Sequence, residues 1–274
     1  GIKRIGVLRA DVDNLGQTFV AGFAGKYATL SRTAALSRQL SIFFKYYIRS
    51  ILKNGEYHID GEKKLTERNA TIVYSGGDDV FIVGAWNEVI ELSIDLQEKF
   101  KKYTQGTLSI SSGIGIYECT YPIGAIANET GEMEAESKRM PEKDSVTLMD
   151  DGETHLINEL EICDGTYRWE ELYKSVLGEK YDVIQDFLGE SDERGMSFLY
   201  RMLELIRNQK EKINFARFVY LLSRLEPDKE GEKKEKYRKF SRKMYQWVQS
   251  EKDCRELKTA INLYAYMHRE KGAH

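Results

Sequence analysis

The stretch ATIVYSGGDDVFIVG, residues 70–84, limits what this chain can fold into more than any other. Two runs rich in β-branched and aromatic residues flank Gly76-Gly77-Asp78-Asp79. That pattern predicts two strands joined by a tight turn, because glycine accepts positive φ there without penalty. The turn explains the glycines but not the carboxylates. Adjacent aspartates between apolar strands repel one another and lose solvation, and both effects raise the cost of ionising them. A cation is expected at the turn.

The flanking sequence supplies a frame for this hairpin. Residues 3–10, KRIGVLRA, read as a strand running into the polar loop Asp11-Val12-Asp13-Asn14. From Ser31 to Lys53, Leu36, Leu40, Phe43, Phe44, Tyr47, Ile48, Ile51 and Leu52 recur at helical spacing, with Gly55 as the C-terminal stop. Residues 54–69 read as a loop. Asn87 is the expected cap of a second helix whose apolar side is Val89, Leu92, Leu96, Phe100 and Tyr103. Residues 107–117 alternate as a strand, so the order is β-α-β-β-α-β, a ferredoxin-like arrangement. A helix over residues 122–139 and a short strand near Ser145–Met149 follow.

The run Asp150-Asp151-Gly152 is the expected boundary. Beyond it the strand pattern disappears, and FLYRMLELIRN, FARFVYLLSRL, YRKFSRKMYQWV and LKTAINLYAYMHR read as amphipathic helices. The fold class is α+β: a ferredoxin-like palm domain over residues 1–151, followed by an all-α helical domain over residues 152–274. Tyr237 and Trp247, beside the basic run of residues 229–243, are read as packing residues before base-stacking ones.

Composition narrows the chemistry. With 274 residues, 41% hydrophobic and 31% charged, the chain is globular, and its net charge of −3 gives no general attraction to polyanions. No apolar run spans a membrane and no secretory signal opens the chain, so a cytoplasmic address is expected. The chain opens at Gly1 and reaches a strand-like segment within three residues, and it reads as a piece of something longer. Cys119, Cys163 and Cys254 form no CxxC pair, and no histidine sits in an HExxH or His-Asp motif. The chemistry is left to carboxylates.

In a ferredoxin-like sheet of order 4-1-3-2, the first strand lies beside the strand that leaves the hairpin turn. Asp11 is then expected within a few ångströms of Asp78 and Asp79. Hard oxygen ligands without histidine or thiolate suit Mg²⁺ or Mn²⁺, whose other positions are filled by water and substrate phosphates. Two such ions about 4 Å apart would suit nucleotidyl transfer. Gly76 and Gly77 would let a triphosphate approach the backbone, and Lys138 and Arg139 would neutralise its charge. Asp13 stays open between catalysis and capping the loop with Asn14. The plain alternative is a Gly-Gly turn whose aspartates face water.

Taken together, LRADVDNLG (8–16), SRTAALSRQLSIFFKYYI (31–48), YSGGDDVFIVG (74–84), SGIGI (112–116) and PIGAIANETGEMEAESKR (122–139) resemble the second palm domain of the large subunit of type III-A CRISPR effector complexes. The helical remainder resembles that subunit's C-terminal helical domain. The resemblance implies conversion of ATP to cyclic oligoadenylates once target RNA is bound. It also implies partnership with guide RNA, with crRNA-binding repeat-fold subunits and with a small helical subunit. Asp11 and Asp78 would be metal ligands with the Val12 carbonyl as a third, and Asp79 would serve a second ion or the attacking hydroxyl. Gly76 and Gly77 would line the phosphates and Lys138 would hold the triphosphate, with Arg139 beside it. Asn14 and the hydroxyls of Ser37 and Ser31 are further candidates for nucleotide contact. The family also carries an N-terminal His-Asp nuclease domain and a first palm domain, neither of which lies in this sequence. The same motifs leave a purine nucleotide cyclase or a catalytically silent scaffold as alternatives.

Overall fold

The opening run forms β1 (Ile5–Val12) in a computed structural model that describes residues 2–23, 25–61, 64–150, 152–189, 193–207 and 212–268. Asn14, in the left-handed region at φ 54°, turns the chain into a short helix, α1 (Leu15–Ala21), where only a loop is expected from sequence. The long helix is present in three parts: α2 (Leu30–Ile42), a π turn over Phe43–Tyr47, and α3 (Ile48–Lys53). The π turn sits where the Ser75 hydroxyl donates to the Phe44 carbonyl at 2.6 Å. This bond ties the helix to the strand just before the Gly-Gly turn.

The hairpin is β2 (Ala70–Ser75) and β3 (Asp79–Ala85). It leads into α4 (Trp86–Tyr103), β4 (Ile110–Tyr117), α5 (Ile123–Ser137) and β5 (Ser145–Leu148). Asn87 lies inside the first turn of α4 and does not cap it; Ala85 is the cap residue, because β3 runs directly into the helix. The sheet order is β2-β3-β1-β4-β5, whose first four strands are the ferredoxin-like order. Both neighbours of β1 are antiparallel to it, while β5 runs parallel to β4 after the α5 crossover.

Strand alternation sends the side chains of β1 to two faces. The face carrying Gly6, Leu8, Ala10 and Val12 meets α4: a Cβ on Gly6 would lie 2.6 Å from the Trp86 Cα. The opposite face meets α5, where Val7 packs with Tyr117 and Ile126, and where Arg9 and Asp11 also point. Residues 64–69 are clamped onto α4 by the buried Arg68, which bonds Glu91 and Asp95.

The strand pattern does not end at residue 151, contrary to the sequence expectation. A separate hairpin, β6 (Thr154–Ile157) and β7 (Leu160–Cys163), is followed by β8 (Thr166–Arg168), which joins the main sheet beside β5. Strands of three or four residues are too short to show alternation. The chain accordingly divides into two compact units after Trp169, later than the boundary read from Asp150-Asp151-Gly152. Trp169 fastens the end of β8, its Nε1 donating to the Ile110 carbonyl at 2.9 Å.

The second unit is helical. α6 (Trp169–Glu171) passes through a π-wound stretch, Leu172–Tyr181, into α7 (Asp182–Leu188). Then come α8 (Glu193–Arg207), α9 (Lys212–Ser223), α10 (Glu232–Trp247) and α11 (Glu251–His268). Lys180 is buried between Asp253 and Glu256 and lies 5.0 Å from the Trp247 ring centre. The basic run at residues 229–243 spends much of its charge on carboxylates. Lys234 and Arg238 bond Glu230, Lys239 bonds Asp186 and Lys243 bonds Glu179. Tyr237 and Trp247 are buried in packing. No helix among the described residues is long and apolar enough to cross a membrane.

Candidate active site

β1 and β3 pair with Asp11 directly opposite Asp79, which puts their Cα atoms about 5 Å apart and both side chains on the α5 face. One step further, the Val12 N–H donates to the Asp78 carbonyl at 3.2 Å, and the Gly76 N–H closes the turn on the Asp79 carbonyl at 2.8 Å. The end of β1 and the Gly-Gly turn are therefore physically joined. A Cβ on Gly76 would fall 2.5 Å from the Tyr74 hydroxyl and against the Asp79 carboxylate, so a side chain there would push apart the two groups that bond at this point. Gly77 is exposed, and the Ser41 hydroxyl of α2 lies 4.0 Å from where its Cβ would be.

From the other side α5 brings Lys138. Its ammonium donates to Asp11 Oδ2 and to Glu134 Oε1 at 2.8 Å, while Arg9 Nε bonds Glu134 Oε2 at 2.8 Å. Gly113 permits this approach. It lies opposite Arg9 on β4, and a Cβ there would come within 2.5 Å of the Thr130 carbonyl oxygen and the Glu134 nitrogen. Burial, and then the charges of Asp11 and Asp79, raise the Asp78 carboxyl above the usual range, with Lys138 pulling it back in part. The charge of Asp79 raises the Tyr74 hydroxyl. Burial disfavours the Lys138 ammonium, but its bonds to Asp11 and Glu134 outweigh this and raise it.

Four carboxylates thus face two cations, and an added cation would be stabilised. Among the described residues no three His, Cys, Asp or Glu side chains form a ready-made metal cage. A cage is not what Mg²⁺ requires, since it commonly takes one or two carboxylates and completes its shell with water and phosphate. Ser111 supplies a further sign of fit. It stands opposite Asp11 on β4, fully buried, and its hydroxyl has no partner, an arrangement that costs free energy unless something is offered to it.

The other sequence candidates take different places. Asp13 is buried and structural: its Oδ2 accepts from the Ser109 hydroxyl at 2.7 Å and from the Asp144 N–H at 3.1 Å. Asn14 accepts from Lys143 at 2.6 Å. Arg139, in the turn just past α5, bonds Glu136 of that helix at 2.6 Å instead of joining Lys138. Ser37 and Ser31 are exposed on α2, and Ser41 is the hydroxyl of that helix found beside Gly77. Sequence reasoning missed Arg9, Glu134 and Ser111. The i,i+4 spacing of Glu134 and Lys138 was the one local signal available for them.

Residues 4–147 match the family described as Cas10/Cmr2, second palm domain. The chain belongs to that family. Residues 185–270 further match the second helical domain of the Cmr2 subunit of the CRISPR RNA silencing complex. A Cas10/Csm1 single-strand-specific deoxyribonuclease (subtype III-A) from Mycobacterium tuberculosis is 43% identical over 99% of this chain and 32% of its own length. The Streptococcus thermophilus protein of the same name is 38% identical over 97% of this chain and 33% of its own. The chain therefore spans about a third of the curated relatives it matches. Among solved structures, a Csm1–Csm4 subcomplex of a type III-A CRISPR–Csm interference complex aligns with a TM-score of 0.69 at 28% identity, covering 97% of this chain and 36% of that one. A Csm1–Csm4 cassette in complex with pppApApA aligns with a TM-score of 0.69 at 27% identity, covering 96% and 37%. The Cas10/Cmr2 palm is thus the unit that carries Asp11, Asp78, Asp79 and Lys138.

Proposed function

We propose that this Cas10/Cmr2 palm is the nucleotidyltransferase centre of a type III CRISPR large subunit, joining ATP into cyclic oligoadenylates when the assembled complex holds target RNA. The observation that carries the reading is the cross-strand pairing of Asp11 with Asp79, with Asp78 in the adjoining turn and Lys138 reaching in from α5. The similar Csm1–Csm4 cassettes in complex with one ATP and with pppApApA support it.

Asp11 and Asp78, with the Val12 carbonyl, would hold a divalent ion, and Asp79 would serve a second ion or the attacking hydroxyl. When bound, Mg²⁺ or Mn²⁺ supplies charge neutralisation for the triphosphate and for the hydroxyl that attacks it. In the reaction, a 3′-oxygen of one ATP forms a bond to the α-phosphorus of the next, the bond to the β-phosphate oxygen breaks, and pyrophosphate leaves as the hydroxyl proton is lost. Gly76 and Gly77 keep the turn open to phosphate, and Lys138 neutralises charge that builds on the leaving group. The partners we assign are the other type III subunits, including a Csm4-type one, with guide and target RNA.

The deoxyribonuclease activity for which the relatives are named we assign to parts of those longer proteins outside this segment. Replacing Asp78 and Asp79 with Ala in the intact protein, assembled with its partners and target RNA, is expected to lower oligoadenylate formation from ATP by at least about 100-fold. Chromatography of the products provides the measurement, and unchanged turnover would contradict the assignment. Substituting GTP for ATP separates this reading from a purine nucleotide cyclase of the diguanylate-cyclase type.

A further inference from the structure

We infer that Glu134 is a positioning residue that holds Lys138 ready for the triphosphate by competing with Asp11 for its ammonium. The inference rests on the nucleotidyltransferase reading and adds to it a residue that the sequence motifs do not single out. Glu134 is buried, yet each of its carboxylate oxygens carries a cation, Arg9 Nε on Oε2 and Lys138 Nζ on Oε1, both at 2.8 Å. Lys138 is shared in turn between Glu134 and Asp11. A cation seated on Asp11 would repel this ammonium, and a lysine with no other partner would swing out to water. Glu134 gives it a second anchor one helical turn back, and Arg9 fixes Glu134 to β1, so the lysine stays at the site with donors free for phosphate. Gly113 sets the spacing by letting the α5 backbone ride on β4.

This arrangement makes Glu134 and a metal ion allies. By drawing Lys138 away from Asp11, Glu134 lowers the cost of bringing an ion to that carboxylate. Removing the charge of Glu134 leaves Lys138 to Asp11 alone. The test is a double-mutant cycle of Glu134→Gln and Lys138→Met in the intact protein, read by electron paramagnetic resonance of bound Mn²⁺ without nucleotide. Signal from this site is defined as the part lost in Asp78→Ala.

Glu134→Gln is expected to weaken that Mn²⁺ binding about fivefold, a coupling within the range of contacting charged pairs. In the Lys138→Met background the same substitution should change it by less than about twofold, because the lysine it acts through is gone. With ATP present, Glu134→Gln should raise KM more than it lowers kcat, and Glu134→Asp should restore part of the loss. An equal effect of Glu134→Gln with and without Lys138 would overturn the inference, since a purely structural tie between α5 and β1 through Arg9 behaves in that way. If Asp78→Ala removes no Mn²⁺ signal, the metal site itself is wrong, which is a different failure from that of Glu134.

Discussion

At Asp78, burial raises the carboxyl more than either neighbouring aspartate does, and Lys138 offsets only part of the effect. Such a group beside two more carboxylates would be stabilised in its ionised form by an added cation. Burial acts on Cys254 of the helical unit without any such purpose, pushing its thiol up to about 12. Below pH 9 the thiol is protonated both folded and unfolded and contributes no pH dependence. Between pH 9 and about 12 the unfolded chain releases the proton while the folded one keeps it, so stability falls with rising pH by up to about 1.4 kcal/mol per unit. Urea unfolding at pH 8.5, 9.5 and 10.5 should show this slope, reduced in Cys254→Ala; an unchanged slope would mean that the thiol ionises in the folded protein. Asp11, Asp78, Asp79 and Lys138 were legible in the sequence because each sits in a short motif beside a predicted element. Arg9, Glu134 and Ser111 were not, because only the pairing of β1 with β4 and the seating of α5 bring them to Asp11.

Two glycines on opposite faces of the sheet set how closely its helices approach. Gly113 receives α5 and Gly6 receives α4, each with no room for a methyl group. Gly113→Ala is expected to cost about 1–3 kcal/mol through overpacking, and to raise KM for ATP by displacing Glu134 and Lys138. Gly6→Ala should cost a similar amount but leave KM near that of the parent, because the helix it displaces carries no candidate site residue. Denaturant unfolding together with ATP kinetics on both variants makes the comparison, and equal KM values would detach α5 from substrate binding. At this scale the hairpin, the long helix and β4 were legible from periodicity. α1, with Asn14 in the left-handed region, and the short strands β6 to β8 were not, since so few residues show no period.

Over the whole molecule, strand order does most to explain how a chain with no cysteine or histidine motif can gather an acidic site. The ferredoxin-like order makes β1 and β3 neighbours and so brings together carboxylates from segments far apart in sequence. That much followed from the β-α-β-β-α-β succession, whereas the place where one unit ends did not, because β8 returns to the sheet after the polar run that looked like a boundary. The central claim is that Asp11 and the Gly-Gly-Asp-Asp turn together hold a divalent ion that carries a nucleotide. Anomalous scattering from Mn²⁺ in crystals of the intact protein with a non-hydrolysable ATP analogue measures this directly. We predict a manganese peak within about 2.5 Å of carboxylate oxygens from both Asp11 and Asp78, with Lys138 moved from Asp11 onto phosphate. Bound nucleotide with manganese elsewhere, and Lys138 still on Asp11, would contradict it.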